Sequence, residues 1–262
     1  MAYVSSTTDA AMEGTASRQD PTPRTDWTQR TELLIGPKAM ARLSTMRVIL
    51  FGIGGVGSWC AEALIRTGVG HLTLVDFDRI SPSNINRQIP ALTTTVGQLK
   101  VEVLRDRLLT VNPRADIQAL PRRYTPEEAD TFDLGSYDYV VDAIDSLPDK
   151  ADLIRRTCAL PSTQLLSAMG AARKTDPTRV RMAEFSQVHS CPLAKALRRL
   201  FKTQGEGQPG PFRCVYSDEH PIPPNPDAPN INGSVMPVTA AFGLILASIV
   251  IQDTFTIERC SH

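Results

Sequence analysis

The residues with the clearest chemistry are a glycine run, Gly52-x-Gly54-Gly55-x-Gly57, and two carboxylates beyond it, Asp76 and Asp78. A polar and cationic set follows, Asn84, Arg87 and Lys100, and then a later carboxylate, Asp145. Glycines at this spacing allow a tight turn, let backbone approach a phosphate and let a helix pack closely on a strand. The helix that follows would aim unpaired N–H groups and its positive dipole end at an anion. Alone, the motif also fits a glycine turn that binds nothing. Asp76 sharpens it, falling where an acidic residue accepts hydrogen bonds from a ribose. A hydride-transfer enzyme would need only the glycines and Asp76. Asn84, Arg87 and Lys100 add polar and positive groups for phosphates. Asp145 adds a carboxylate for magnesium, an ion that keeps several waters and takes one or two protein carboxylates. The set points to ATP-type chemistry, with nucleotidyl transfer as the reaction.

The elements that must position these residues are legible as a repeated strand–helix pattern. The apolar run 48–51 reads as a buried parallel strand, and 58–66 as the helix after the glycines, stopped by Gly68. Residues 69–75 read as a second strand ending at Asp76, and 97–110 as a helix with Lys100 near its N-terminus. A cation there is unfavourable to the dipole unless it answers an anion. A weak strand at 116–120, a short helix opened by Pro126, a strand at 137–143 and a helix opened by Pro148 follow. Asp145 therefore stands at a strand end in the layer of the glycine loop. With a further strand at 164–168, the order predicts an α/β, Rossmann-like, mostly parallel sheet with helices on both faces. Beyond it the pattern changes to a small antiparallel extension: strands at 179–185 and 212–216, the latter carrying Cys214. Between them lies a basic helix at 192–202 with Lys195, Arg198, Arg199 and Lys202. Residues 204–211 read as flexible and 219–231 as a proline-rich exposed loop. Before the first strand, Trp27 and residues 33–35 suggest a docking arm ending at Gly36-Pro37, with a short helix at 38–44. Arg30 in that arm reads, by itself, as a solvated surface charge.

The chain has 262 residues, no net charge and 42% hydrophobic residues, enough for a full core. Neutrality argues against a purely electrostatic binder but leaves room for local basic patches. The expected organisation is a disordered segment at 1–25 and a single domain at 26–262, with a nucleotide half at 46–170 and a substrate half at 171–262. Five scattered cysteines, Cys60, Cys158, Cys191, Cys214 and Cys260, form no Cys-x-x-Cys pair, which fits neither a disulfide framework nor a zinc site. Cys214 reads either as a nucleophile or as an inert buried thiol. The polar stretch 1–20 has no apolar segment of signal-peptide type, so a cytoplasmic location is expected. The longest apolar run, 238–251, is too short to span a bilayer comfortably and reads as a buried helix.

Five motifs in one order carry a resemblance. They are the glycine run, Asp76-Phe77-Asp78, Ser83-Asn84-Ile85-Asn86-Arg87-Gln88, Val96-Gly97-Gln98-Leu99-Lys100 and Asp142-Ala143-Ile144-Asp145. Together they resemble the ubiquitin-activating-like superfamily, which includes the adenylyltransferases of molybdopterin synthase and of the thiamine sulfur carrier. Trp27-Thr28-Gln29-Arg30, Asp176-Pro177-Thr178-Arg179, Cys191-Pro192-Leu193-Ala194 and Cys214-Val215-Tyr216-Ser217 are more similar to the tRNA threonylcarbamoyladenosine dehydratases of that superfamily. The sulfur-carrier enzymes usually carry two Cys-x-x-Cys zinc pairs, absent here. The resemblance implies that Gly52, Gly54, Gly55, Gly57, Asp76 and Asp78 bind ATP. It implies that Asn84, Arg87 and Lys100 hold the triphosphate, that Asp145 binds Mg2+, and that Arg30 enters a partner subunit's site in a homodimer. It further implies activation of a carboxylate on a tRNA, beside the anticodon, as an acyl adenylate. The basic helix 192–202 either contacts anticodon-stem phosphates or is a solvated face. Activation of a small carrier protein's C-terminus, with a sulfur-transfer partner, is the alternative.

Overall fold

A computed structural model describes residues 27–203 and 207–259, the last four of these by backbone only. The expected disorder at 1–25 lies outside the described residues, as does the start of the flexible stretch at 204–211. Seven strands form one sheet: β1 (Arg47–Phe51), β2 (His71–Val75), β3 (Asp116–Leu120), β4 (Tyr139–Asp142), β5 (Gln164–Ala168), β6 (Val180–Glu184) and β7 (Arg213–Ser217). Their order is β3-β2-β1-β4-β5-β7-β6; every neighbouring pair is parallel except the edge pair β6–β7. The chain winds one way from β1 to β3 and then crosses to β4. The C-terminal ends of β1 and β4 therefore flank the crevice where open α/β sheets bind ligands.

The apolar run of β1 is buried on both faces. Val48 and Leu50 join the core beneath helices α3 (Gly57–Thr67), α4 (Lys100–Val111) and α7 (Met236–Arg259). Ile49 and Phe51 join the opposite core, beneath α5 (Leu147–Cys158) and α6 (Pro192–Thr203). This is the period-two alternation of a strand covered by helices on both sides. The antiparallel extension is present as expected.

Several boundaries differ from the sequence expectations. β2 begins at His71 rather than Val69, because Gly68 N–H and Val69 N–H close α3 onto Ile65 and Leu64 carbonyls. α4 begins at Lys100 rather than at 97: Gly97 has a φ of +88°, and Leu99 bridges to Arg79. In place of a helix opened by Pro126 there is a single 3-10 turn, Ala129–Phe132. The arm is two helices, α1 (Gln29–Ile35) and α2 (Pro37–Thr45), broken at Gly36 with φ +85°. α1 buries none of its residues, and Leu33 and Leu34 are 81% and 84% exposed, so the arm does not dock through them on its own chain. α7 is longer than its apolar run suggests. Residues Met236–Phe255 are long and apolar enough to cross a bilayer, but 56% of that stretch is buried within the fold. It packs on α3, and Gly243 makes the close approach possible: a Cβ there would lie 2.3 Å from the Val56 carbonyl oxygen.

Candidate active site

A cavity of about 780 Å³ opens at the C-terminal ends of the strands. The glycine loop forms its floor. Gly52 takes a φ of +90°, and a Cβ there would sit 2.6 Å from the Ala143 carbonyl oxygen, so only glycine lets the β1 and β4 ends meet. At Gly57 a Cβ would be 1.9 Å from the Gly52 carbonyl oxygen, which closes the turn onto α3. Asp76, at the end of β2, accepts hydrogen bonds from Ile53 N–H (2.6 Å) and Asp78 N–H (2.8 Å). Burial pushes its carboxyl upward, against the opposing pull of the Lys100 ammonium. Each oxygen keeps a lone pair for a further donor, such as a ribose hydroxyl.

The phosphate-type groups are braced from behind. Lys100 is 5% exposed and its Nζ donates to Asp78 Oδ2 at 2.6 Å, so Asp78 holds the lysine. Asn84 caps the 3-10 turn Pro82–Asn84 by accepting from Ser81 N–H at 3.1 Å, which leaves its amide nitrogen without a protein partner among the described residues. Arg87 Nη1 donates to Ser83 O and Asn86 Oδ1, both at 2.9 Å, while Trp59 Nε1 donates to the Arg87 carbonyl at 3.1 Å. All four side chains line the cavity together with Gly52, Gly54, Gly55 and Asp145. Gly57 is placed behind the loop.

Asp145 is exposed in the loop between β4 and α5 and has no ion pair among the described residues. What fixes that loop is a fully buried pair, Asp142 and Lys150, at 2.7 Å. Asp142 also accepts from Ser167 Oγ at 2.6 Å and from Ile144 N–H at 3.1 Å, and Lys150 Nζ donates to the Ile144 carbonyl at 3.1 Å. Both partners therefore grip the residue next to Asp145. Arg30 is exposed on α1 and does not line the cavity of its own chain.

Some residues were missed by the sequence reading. Arg122 and Arg123 follow β3 and line the cavity. Arg123 donates to Asp149 at 2.7 Å and lies 5.7 Å from the centroid of the exposed Phe77 ring. Their position at a strand end, in the same layer as Asp76, was the available signal. Lys174, beyond β5, also lines the cavity. Cys214 is fully buried and does not line the cavity, and burial pushes its thiol far upward, which favours the inert reading. In α6, Arg198 is not free: its Nη2 donates to the Phe185 and Val188 carbonyls, both at 2.6 Å, and its guanidinium lies 4.8 Å from the Phe185 ring centroid. Lys195, Arg199 and Lys202 remain exposed.

Comparisons with known proteins identify the chain's relatives. The ThiF family model matches residues 28–258. The tRNA threonylcarbamoyladenosine dehydratase of Bacillus subtilis is 42% identical over 193 residues, 74% of this chain and 75% of that protein. The crystal structure of the Escherichia coli tRNA N6-threonylcarbamoyladenosine dehydratase in complex with AMP superposes with a TM-score of 0.81 at 34% identity, covering 89% of this chain and 95% of that one. The same Escherichia coli enzyme in complex with ATP gives a TM-score of 0.80 at the same identity and coverage. The strand-end cavity, its glycine floor and the span of the match lead to one conclusion: the chain belongs to the ThiF family.

Proposed function

We propose that the chain is an ATP-dependent tRNA threonylcarbamoyladenosine dehydratase, acting as a homodimer in the cytoplasm. The observation that carries this reading is the meeting, in one cavity, of a glycine loop, a ribose-type carboxylate at Asp76 and an unpaired carboxylate at Asp145. The similarity to dehydratases, one of them crystallised with ATP, supports it.

ATP would lie along the rim. Asp76 takes the ribose, the Gly54–Gly55 backbone admits the phosphates, and Asn84, Arg87 and Lys100 face the triphosphate. The substrate carboxylate attacks the α-phosphorus and pyrophosphate leaves, giving an acyl adenylate. A nucleophile within the same threonylcarbamoyl group then closes a ring and releases AMP, for a net loss of water. The residues align and stabilise charge rather than form covalent bonds. Because Lys100 and Arg87 are already held by their neighbours, little reorganisation is needed as charge develops.

Asp145 fits Mg2+. Among the described residues no group of three or more His, Cys, Asp or Glu could cage a metal. A single unpaired carboxylate beside a phosphate site suits an ion that binds one carboxylate, substrate oxygens and water. When bound there, magnesium supplies charge neutralisation on the departing pyrophosphate. Arg30 would act in the partner subunit's cavity, with the exposed Leu33 and Leu34 packing between subunits. Exposed cations of α6 would meet phosphates of the anticodon stem-loop. The alternative, activating a ubiquitin-like sulfur carrier, has no Cys-x-x-Cys pair to support it.

The test is AMP formation from ATP with tRNA that carries or lacks the threonylcarbamoyl group. AMP only with the modified tRNA is expected. AMP with a carrier protein's C-terminus, and none with modified tRNA, would sink the reading.

A further inference from the structure

Three lysines are buried among the described residues: Lys100, Lys150 and Lys174, at 5%, 0% and 2% exposure. Burying an ammonium is costly unless a carboxylate compensates it. Lys100 has Asp78 at 2.6 Å and Lys150 has Asp142 at 2.7 Å. Lys174 has no carboxylate partner; its Nζ donates to the Ser217 carbonyl at 2.7 Å.

The neighbouring acids are already engaged. Asp218 takes Arg179 and Arg181, each at 2.8 Å. Glu219 accepts from Thr175 N–H and Asp176 N–H, both at 3.0 Å. The remaining titratable neighbour is the buried Cys191 thiol. Burial accordingly pulls the Lys174 ammonium downward, with Cys191, Glu219 and Asp218 opposing only in part and Arg179 adding to the fall.

Along the sheet, Asp76 stands at the end of β2, the glycine loop at β1 and Asp145 at β4. Lys174 comes next, beyond β5, on the side away from the ribose site. The residue before it, Arg173, is held in left-handed backbone with φ +60°. Its N–H donates to Gly233 O at 2.8 Å, and its carbonyl accepts from Ile222 N–H at 2.7 Å. A non-glycine residue in this region is strained, and such strain clusters at functional sites.

We propose that Lys174 is the proton acceptor for the second half of the reaction, the ring closure that expels AMP. The inference rests on the dehydratase reading. The neutral amine keeps its N–H bond to Ser217 O and turns its lone pair to the nucleophilic N–H or O–H of the threonylcarbamoyl group. The proton passes to Nζ, the freed electron pair forms the bond to the acyl carbon, and the acyl C–O bond breaks with its pair going to AMP. Lys174 then releases the proton to water. The first half-reaction needs no base, because a carboxylate is already the nucleophile.

The experiment separates the halves with tRNA carrying the threonylcarbamoyl group. ATP–pyrophosphate exchange reads adenylation, and chromatography of digested tRNA reads the cyclised product. Lys174→Arg keeps an N–H donor but is permanently charged and has no lone pair to accept a proton. It should retain exchange within about threefold, accumulate acyl adenylate and lose cyclisation by about a hundredfold or more, the range for a missing general base. Lys174→Met, uncharged, should split the same way. Wild-type cyclisation should rise with pH through the lysine's lowered pKa, and the arginine variant should lack that rise. ATP binding and thermal melting establish that both variants fold. Near wild-type cyclisation by Lys174→Arg, or equal loss of both halves in a folded variant, overturns the proposal. Absence of exchange in the wild type with this tRNA instead overturns the substrate reading, and the assignment falls with it.

Discussion

The two ends of the cavity are built differently. At the nucleotide end the charged groups are braced by protein: Lys100 by Asp78, Arg87 by Ser83 and Asn86, Asp76 by two backbone N–H groups, Arg123 by Asp149. At the acceptor end Lys174 has a carbonyl but, among the described residues, no carboxylate at ion-pair distance, and residues 219–231 have no regular secondary structure. A braced site presents its field before the ligand arrives, which suits one invariant ligand such as a nucleotide. An end with an amine only partly compensated and with irregular loops is completed by what enters it. The contrast teaches where selectivity for the carboxylate-bearing substrate should lie.

Substitutions can break that contrast. The largest effect is expected at the junction of the two ends. If Asp145 holds magnesium beside the phosphates, Asp145→Asn removes that carboxylate, and pyrophosphate release should fall by roughly a thousandfold or more with the melting temperature unchanged, a loss of several kcal/mol of charge stabilisation. Ordinary turnover at ordinary magnesium would remove Asp145 from the mechanism. Arg30→Ala should cost about a hundred- to a thousandfold, as for other transition-state donors. If Arg30 serves the partner subunit, mixing Arg30→Ala chains with Asp145→Asn chains restores part of the activity. No recovery after proven subunit exchange would return Arg30 to its own chain.

Lys150→Met tests the bracing itself. It strands the fully buried Asp142, so stability should drop by about 3–5 kcal/mol in urea unfolding, with nucleotide turnover impaired through the Asp145 loop. A change below 1 kcal/mol would mean the pair holds nothing in place. The smallest effect belongs to the acceptor surface. Replacing Lys195, Arg199 and Lys202 with alanine should leave ATP binding nearly unchanged and flatten the salt dependence of tRNA binding by about one unit per lost phosphate contact. Arg198→Ala should behave differently, lowering stability by roughly 1.5–3 kcal/mol through two lost charged hydrogen bonds rather than altering the slope. Identical slopes for wild type and triple variant would place tRNA elsewhere.

The parallel part of the fold was legible because its signals are local. Buried strands read as apolar runs, and whatever follows a strand's C-terminal end shares one layer; that rule put Asp76 and Asp145 on the same rim. It could also have found Arg122 and Arg123, had the weak β3 been given equal weight. The state of the charges was not legible. That Lys100 is held by Asp78, that Arg198 is captured by the Phe185 and Val188 carbonyls, and that Lys174 is left without a carboxylate each depend on which partners are already used. Those partners come from other elements, as when Arg179 and Arg181 occupy Asp218. The apolar run 238–251 marks a long buried helix but not its full extent, because α7 continues past the run to Arg259, and the composition of α1 does not show which way its leucines face.

Gly243 gives the fold a temporal order. Its bare backbone lets α7 rest against Val56 and Cys60, where α3 meets the glycine loop, so a helix far later in the chain backs the glycine loop. Domains emerging from the ribosome fold as units from the N-terminal side. Here the phosphate loop lacks its support until the chain has been synthesised past α7. A nascent chain stalled before Met236 should therefore fail to retain ATP on an affinity matrix, while one extended beyond Arg259 by a linker should bind. ATP retained by the shorter nascent chain would show that the glycine loop does not need α7 behind it.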